Sequence, residues 1–478
     1  MLRTSITLRA VDWQLAALWL EAAWIVLVAL WIAAERRSPA ATLAWILGLA
    51  LLPLVGAPVY WVFGPRRLAR RRTRYRGLRE LLDRQLAEIG RGAPLEPDVL
   101  RQVRLAAHLD EAPLATASAL DLFRDGRELV DALERDLAAA RVSIHLEYYI
   151  WEQDATGRRL LERLAERAAA GVRVRLLVDA LGTRAGDRFF APLLAAGGEL
   201  ARFNPPRLGV LPSRLINFRT HRKIAVLDGR VAYLGGMNVA DCHTLGARGA
   251  PPWRDTHLRL EGQAARTLQR IFFENWQFSA GACELEARDF AEQPEGEHRL
   301  QILRSGPDRD VYPIHEFLFT AIAGADERVW MTTAYFVPDE PLLTAVRSAA
   351  HRGVDVRLLV PERGDSRLVA AAGRSFHDEL LDSGARIWEY GPAMLHAKTL
   401  VVDRELAVVG SANLDNRSFR LNFEVVAAIY GSAAADRLAA WFEQDLGHAR
   451  EVPRARRRSL SSGARLLESG ARLFAAVL

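Results

Sequence analysis

Lysine is nearly missing from this 478-residue chain: of 64 basic side chains only Lys223 and Lys398 are lysine, and every other one is arginine. Arginine's planar fork and lysine's compact, three-donor ammonium are not interchangeable where a charge must fit a tight polar site. The pair therefore points to two equivalent places with one specific demand. Cysteine is as scarce. Cys242 and Cys283 give neither a disulfide framework nor metal-ligand spacing, and Cys242 reads as a small buried thiol. Without a Cys/His cluster or a paired-aspartate loop, neither a structural metal nor a cofactor is expected. Charge is missing from residues 40–64, AATLAWILGLALLPLVGAPVYWVFG, a run long enough to cross a bilayer.

Gly48, Pro53, Gly56 and Pro58 in that run would weaken a soluble helix but are tolerated in a spanning one. An earlier apolar stretch, Trp13 to Ala34, is interrupted by Glu21, and Glu35-Arg36-Arg37-Ser38-Pro39 separates the two as a short hairpin turn. Trp13, Trp19, Trp31, Trp45 and Trp61 fit interfacial anchors. Arg66, Arg67, Arg70, Arg71, Arg72, Arg74 and Arg76 crowd the exit of the second stretch. The positive-inside rule then places both termini and the bulk of the chain in the cytoplasm, with the arginines against anionic headgroups. A net charge of +6 and a pI near 9.6 suit an anionic partner. The expected setting is a membrane crossed by an N-terminal transmembrane helical hairpin.

Residues 65–118 read as a basic helical connector. Beyond it the chain repeats itself: Glu162 to Val178 (ERLAERAAAGVRVRLLV) matches Leu343 to Val360 (LTAVRSAAHRGVDVRLLV). In each, a helical pattern ends at a glycine, Gly171 or Gly353, and an alternating strand follows. Another strand precedes each helix, Ser143 to Ile150 and Val329 to Phe336. The expected fold is α/β: two repeats, 119–287 and 298–450, each a mixed sheet flanked by helices, paired by pseudo-twofold symmetry. Glu284 to Arg299 joins them, and 451–478 forms a basic amphipathic tail, with Leu460, Leu466, Leu467, Leu473, Phe474 and Val477 near a helical period. An interfacial helix and a helix packed on the domain that the repeats form are both open readings of that tail.

Each lysine follows a histidine by two residues and precedes an aspartate by five, giving His221, Lys223 and Asp228 and then His396, Lys398 and Asp403. Asn238 follows His221 at the same distance at which Asn413 follows His396, and Gly235-Gly236 matches Gly410-Ser411. Each motif reads as a β-hairpin. If Gly229-Arg230 and Arg404-Glu405 form two-residue turns, Asn238 lies opposite His221 and Asn413 opposite His396. Two such clusters can do covalent chemistry at phosphorus: one imidazole attacks a phosphodiester while the other protonates the departing alkoxide. The lysines and asparagines would stabilise charge on the nonbridging oxygens, so no metal is needed. Asp228 and Asp403, at turns, read as supports of the site rather than proton carriers. Asp255 and Glu424 are the candidates for orienting the histidines. His145, on an apolar strand, reads as a core histidine.

The paired HxKxxxxD motifs resemble the phospholipase D superfamily over about Val142 to Val452. Within it the chain is similar to the bacterial cardiolipin synthases, on Trp253-Arg254-Asp255-Thr256, Tyr335-Phe336-Val337-Pro338-Asp339, Met394 to Lys398, Gly410 to Phe419 and Leu421 to Glu424. The resemblance implies transfer of a phosphatidyl group between two phosphatidylglycerol molecules through a phosphohistidine, with His221 as nucleophile. It also implies that Asp255 and Glu424 are acidic partners of the histidines. Ala334 departs from the family's usual proline, and Cys242-His243 from its usual acidic-aromatic pair. Alternatives are a hydrolytic phospholipase D, a phosphatidyltransferase using another alcohol, or a membrane-anchored protein that binds anionic phospholipid without reacting. Nucleic acid is not an expected partner, and nothing in the sequence sets an oligomeric state.

Overall fold

The computed structural model describes residues 13–34, 39–52, 56, 59–60, 64, 97–110, 112–205, 217–246, 249–281, 287–290, 293–309, 311–475 and 478. The N-terminal helices form one compact unit and the two sheets another.

In the N-terminal unit, the first apolar stretch is a 22-residue helix, Trp13–Ala34. Of the second stretch, Pro39–Leu51 is a 13-residue helix and Gly56, Val59 and Tyr60 are also helical, while 53–55, 57–58 and 61–63 lie outside the described residues. Pro39 opens that helix, where its missing N–H is harmless. Among the described residues, no helix is long and apolar enough to cross a membrane. Val28, Ile32, Leu49 and Tyr60 pack together, whereas Trp19, Leu20, Leu27, Leu30, Leu43, Leu47 and Leu51 are exposed. The turn at 35–38, the side chain of Trp13, Trp61, the arginine run 66–76, Cys283 and Val477 lie outside the described residues.

Of the expected helical connector, Pro97–Asp110 is a helix, but Ala115–Ala117 is a strand. Both of its alanines are buried, and it pairs antiparallel with His298–Ser305 at one edge of the second sheet. The first sheet has seven strands in the order Ala119–Phe123, His257–Glu261, Val231–Gly235, Lys223–Leu227, Ser143–Tyr148, Arg173–Asp179, Glu199–Phe203. Seven of the nine strands in the second sheet repeat that order: His298–Ser305, Glu424–Tyr430, Leu406–Gly410, Thr399–Val402, Arg328–Thr332, Asp355–Pro361, Arg386–Tyr390. Ala449–Glu451 closes its other edge. Parallel pairs meet antiparallel ones at Ser143–Tyr148 and at Arg328–Thr332, so both sheets are mixed.

The central strands are buried on both faces, which is why they read as continuous apolar runs. In Lys223–Leu227, alternation sends Ile224 and Val226 to a core that the two sheets share, and Ala225 and Leu227 to the first repeat's outer core. From the second sheet, Val401, Val409, Val425 and Ala427 enter the same shared core, together with the helices Gln263–Ala280 and Ser432–Leu446. The two repeats are therefore halves of one packed body.

Both motif hairpins correct the expected register by one residue. Leu227 pairs with Val231 and Val402 with Leu406, leaving three-residue turns, Asp228–Arg230 and Asp403–Glu405. The extra turn residue is the aspartate, held at φ 52° in Asp228 and 47° in Asp403. Aspartate tolerates this left-handed geometry when its side chain bonds locally. Asn238 and Asn413 consequently do not lie opposite His221 and His396, and both pairs sit beyond the ends of the strands.

Candidate active site

Asp228 and Asp403 stand at the turns. Asp228 accepts from the backbone N–H groups of Arg141, Val142 and Ser143 at 2.8–2.9 Å. Asp403 accepts from those of Asp326, Glu327 and Arg328. Each carboxylate thus ties a hairpin to the start of the neighbouring strand, and neither bonds to the imidazoles.

The histidines lie at the opposite ends of the hairpins, where each backbone crosses to the other repeat. Thr220 bridges to Phe423 and Leu395 to Arg254. His221 N–H then donates to Phe423 O at 2.9 Å and His396 N–H to Arg254 O at 2.7 Å. In each case the residue after the bridge is the acid facing that histidine. His221 Nδ1 lies 2.9 and 3.1 Å from the two Glu424 carboxylate oxygens, and His396 Nδ1 lies 2.6 Å from Asp255 Oδ2. Each repeat supplies the carboxylate for the other repeat's imidazole. With Nδ1–H given to a carboxylate, Nε2 carries the free lone pair on both rings.

Asp255 and Glu424 are fully buried, as is Lys223; Lys398 and His396 are nearly so. Lys223 Nζ donates to His221 O at 2.5 Å, and Lys398 Nζ to His396 O. Burial, only partly offset by Glu424, pushes the Lys223 ammonium down to about 7, and Lys398 pushes it further. Burial, offset by Asp255 and Glu424, brings Lys398 to about 8. Burial also lowers both histidines, and the charges cross-talk: Lys398 acts on His221, and Lys223 and His221 act on His396. Burial alone would raise Glu424, but His221, Lys223 and Ser411 outweigh it and hold the carboxyl below its ordinary range. Two buried ammonium groups, two buried carboxylates and two imidazoles thus share one site, their charges acting on the protonation of both lysines, both histidines and Glu424.

The two carboxylates are held differently. Glu424 receives Ser411 Oγ–H at 2.5 Å and Asn422 Nδ2–H at 3.2 Å besides His221. Gly236 stands where the first repeat would have Ser411's counterpart, and a Cβ there would lie 2.1 Å from Asp255 Oδ1. Asp255 accepts instead from Thr256 N–H at 2.7 Å. Asn238 Oδ1 accepts from Ile150 N–H at 3.2 Å, and Asn413 Oδ1 is buried with no hydrogen-bond partner.

A family model described as "Cardiolipin synthase, PLD-like domain" matches residues 133–244 and 318–446, and one described as "Phospholipase_D-nuclease N-terminal" matches 22–65. A cardiolipin synthase of Geobacillus kaustophilus is 38% identical over 466 residues, covering 95% of this chain and 92% of that one. Cardiolipin synthase 1 of Bacillus anthracis is 34% identical over 460 residues, covering 93% and 90%. The chain belongs to the cardiolipin synthase family. Its fold is also that of a phosphatidylserine synthase from Haemophilus influenzae, with a TM-score of 0.59 at 14% identity over 79% of this chain and all of that one.

Three side chains beside this synthase site were not singled out from the sequence as part of it. Tyr149 packs edge-on against His221, with ring centroids 5.0 Å apart, and Lys223 Nζ lies 5.4 Å from the same ring. Trp253 lies against His396 at 5.3 Å. His243 is buried between Trp253 and His396, its Nδ1 3.7 Å from Asp255 Oδ2. The departure at Cys242-His243 therefore bears on an acid–histidine pair. His243, Asp255 and His396 also form the one group among the described residues that could hold a metal ion. Cys242 is half-buried rather than buried, and burial raises its thiol to about 12. His145 is a core residue: Gln269 lies 2.7 Å from its Nδ1, Phe272 stacks on it, and burial lowers it to about 3.

Proposed function

We propose that this chain makes cardiolipin and glycerol from two phosphatidylglycerol molecules through a phosphohistidine. The crossed acid–histidine pairing carries the reading, because it supports two oriented imidazoles with free Nε2 atoms beside two buried ammonium groups.

The Nε2 lone pair of His221 attacks phosphorus in the first phosphatidylglycerol. The bond to the glycerol headgroup breaks, and its oxygen takes the Nε2 proton of His396, which enters the cycle as an imidazolium paired with Asp255, as glycerol leaves. A second phosphatidylglycerol brings its terminal hydroxyl; His396 removes that proton, the oxygen attacks phosphorus, and the P–N bond breaks to release His221. Glu424 and Asp255 hold the rings and stabilise whichever is an imidazolium. Lys223, Lys398, Asn238 and Asn413 face the nonbridging oxygens, and Ser411 acts through Glu424. The phosphohistidine retains the diester's transfer potential, so no activated nucleotide is consumed. Burial of these groups favours alcohol over water as the acceptor.

The outward-facing tryptophans and leucines of the N-terminal helices support membrane attachment. With the arginines beyond residue 65, they favour an inner-membrane protein with its catalytic unit in the cytoplasm. The test is thin-layer chromatography of products from phosphatidylglycerol vesicles. Cardiolipin should form and added glycerol should consume it; phosphatidic acid as the main product would identify a hydrolase instead.

A further inference from the structure

The tail helix Ser462–Arg472 packs against the helix Arg367–Arg374 with its amphipathic sense reversed. The small side chains turn inward: Ala471 is buried, and Ala464 and Ala475 are half-buried on the same stripe. The large apolar ones turn outward, with Leu466 at 75%, Leu467 at 66%, Leu473 at 84% and Phe474 at 52% exposure. A helix folded only to cap a core would do the opposite.

The orientation is pinned. Arg457 donates to Asp378 at 2.9 Å and to Glu468 at 2.7 Å, and Arg472 donates to Glu379 at 2.6 Å while lying 4.2 Å from the Phe376 ring. Beyond the helix the chain reaches the second motif: Asn416 Nδ2–H donates to Ala475 O and Arg417 N–H to Leu478 O, both at 3.0 Å. Asn416 and Arg417 begin the short helix that follows Asn413. Arg454, Arg456 and Arg458, just before the tail helix, are exposed.

We infer that Leu466, Leu467, Leu473 and Phe474 insert into an anionic phospholipid bilayer and hold the second motif at the surface from which substrate enters. Apolar side chains beside exposed arginines match an interface of acyl chains and anionic headgroups. The inference rests on the proposed lipid substrate, since only a lipid-fed site needs such an anchor beside it.

The full-length protein is reconstituted in phosphatidylethanolamine–phosphatidylglycerol vesicles, with Leu466→Ser/Leu467→Ser and Leu473→Ser/Phe474→Ser compared with the native chain. Vesicle turnover should fall through KM, by roughly ten- to a hundredfold for each double substitution. Turnover of monomeric short-chain phosphatidylglycerol should stay within about twofold. Equal losses on both substrates, or none on vesicles, would overturn the inference. A dye on Leu467→Cys should also be quenched by spin-labelled lipid, whereas one on Glu166→Cys should not. This second measurement holds even if no cardiolipin forms, which would count against the proposed function alone. Absence of quenching, with a dimer that Leu466→Ser/Leu467→Ser disperses, would assign the face to a second copy instead.

Discussion

Burial brings both lysines toward neutral pH, aided at Lys223 by repulsion from Lys398, and this gives the site a pH signature. Values near 7 for Lys223 and near 8 for Lys398 mean that raising pH through this range removes positive charge from the free enzyme. Because kcat/KM reports the free enzyme, it should fall on the alkaline side from about pH 7 to 8. A bound phosphodiester stabilises both ammonium groups, so the limb in kcat should lie at higher pH. Matching limbs in the two profiles would contradict this. Lys223 has no exposed surface and its Nζ reaches only a backbone oxygen 2.5 Å away. A guanidinium cannot occupy that space in the same pose. Lys223→Arg should therefore lose about 10²–10³-fold in kcat, as loss of one transition-state donor does. His221→Ala and His396→Ala should each abolish cardiolipin formation while vesicle binding, measured by flotation, largely persists. Substantial turnover by either variant would rule out the two-histidine relay.

The hairpin is the element in which sequence and structure part. Its two strands, its turn and the placing of histidine and lysine at one end were readable from the apolar runs around Asp228 and Asp403. The register was not, because alternation alone cannot say whether the aspartate is the last strand residue or the first turn residue. The structure decides it through contacts distant in sequence: three N–H groups at 141–143 converge on Asp228. The acids Asp255 and Glu424 were legible as the acceptors that orient the histidines, and resemblance pointed the same way, but which histidine each faces was hidden, since the exchange depends on bridges between repeats. The succession of strand, helix, strand and hairpin was legible from the internal repeat, whereas the added strand Ala115–Ala117 was not. Its three residues carry too little pattern to distinguish an edge strand from a connector. Asp228→Ala tests the turn's role: losing three carboxylate-accepted bonds at a positive-φ residue should cost about 2–3 kcal/mol of stability. Thermal denaturation reads that loss. At temperatures where the variant stays folded, kcat should remain within about threefold of native; a much larger drop would return Asp228 to the chemistry.

At the scale of the whole molecule, the two halves complete one another's acid–histidine pairs. Arg254 connects them three ways: its N–H donates to Met394 O at 2.9 Å, its backbone oxygen receives His396 N–H, and its guanidinium meets Asp445 at 2.9–3.2 Å from the helix Ser432–Leu446. Arg124, also from the first repeat, donates to the same carboxylate at 3.0 Å. Asp445 and Arg254 are almost fully buried, so removing the acid leaves a desolvated guanidinium without its counter-charge. Asp445→Ala should then cost about 3–5 kcal/mol, visible as a lower melting temperature. The geometry adds a directional consequence. Slack at Arg254 reaches Asp255 and His396 first, because Asp255 is the next residue and His396 hangs on the same bridge. His221 is held instead at Phe423, on the other crossing. The variant should therefore lose proton transfer to the departing glycerol more than attack on phosphorus. A phosphatidyl ester whose leaving alcohol is acidic, and needs no proton, should recover most of the lost kcat. An equal loss on both substrates would mean that the two crossings move as one.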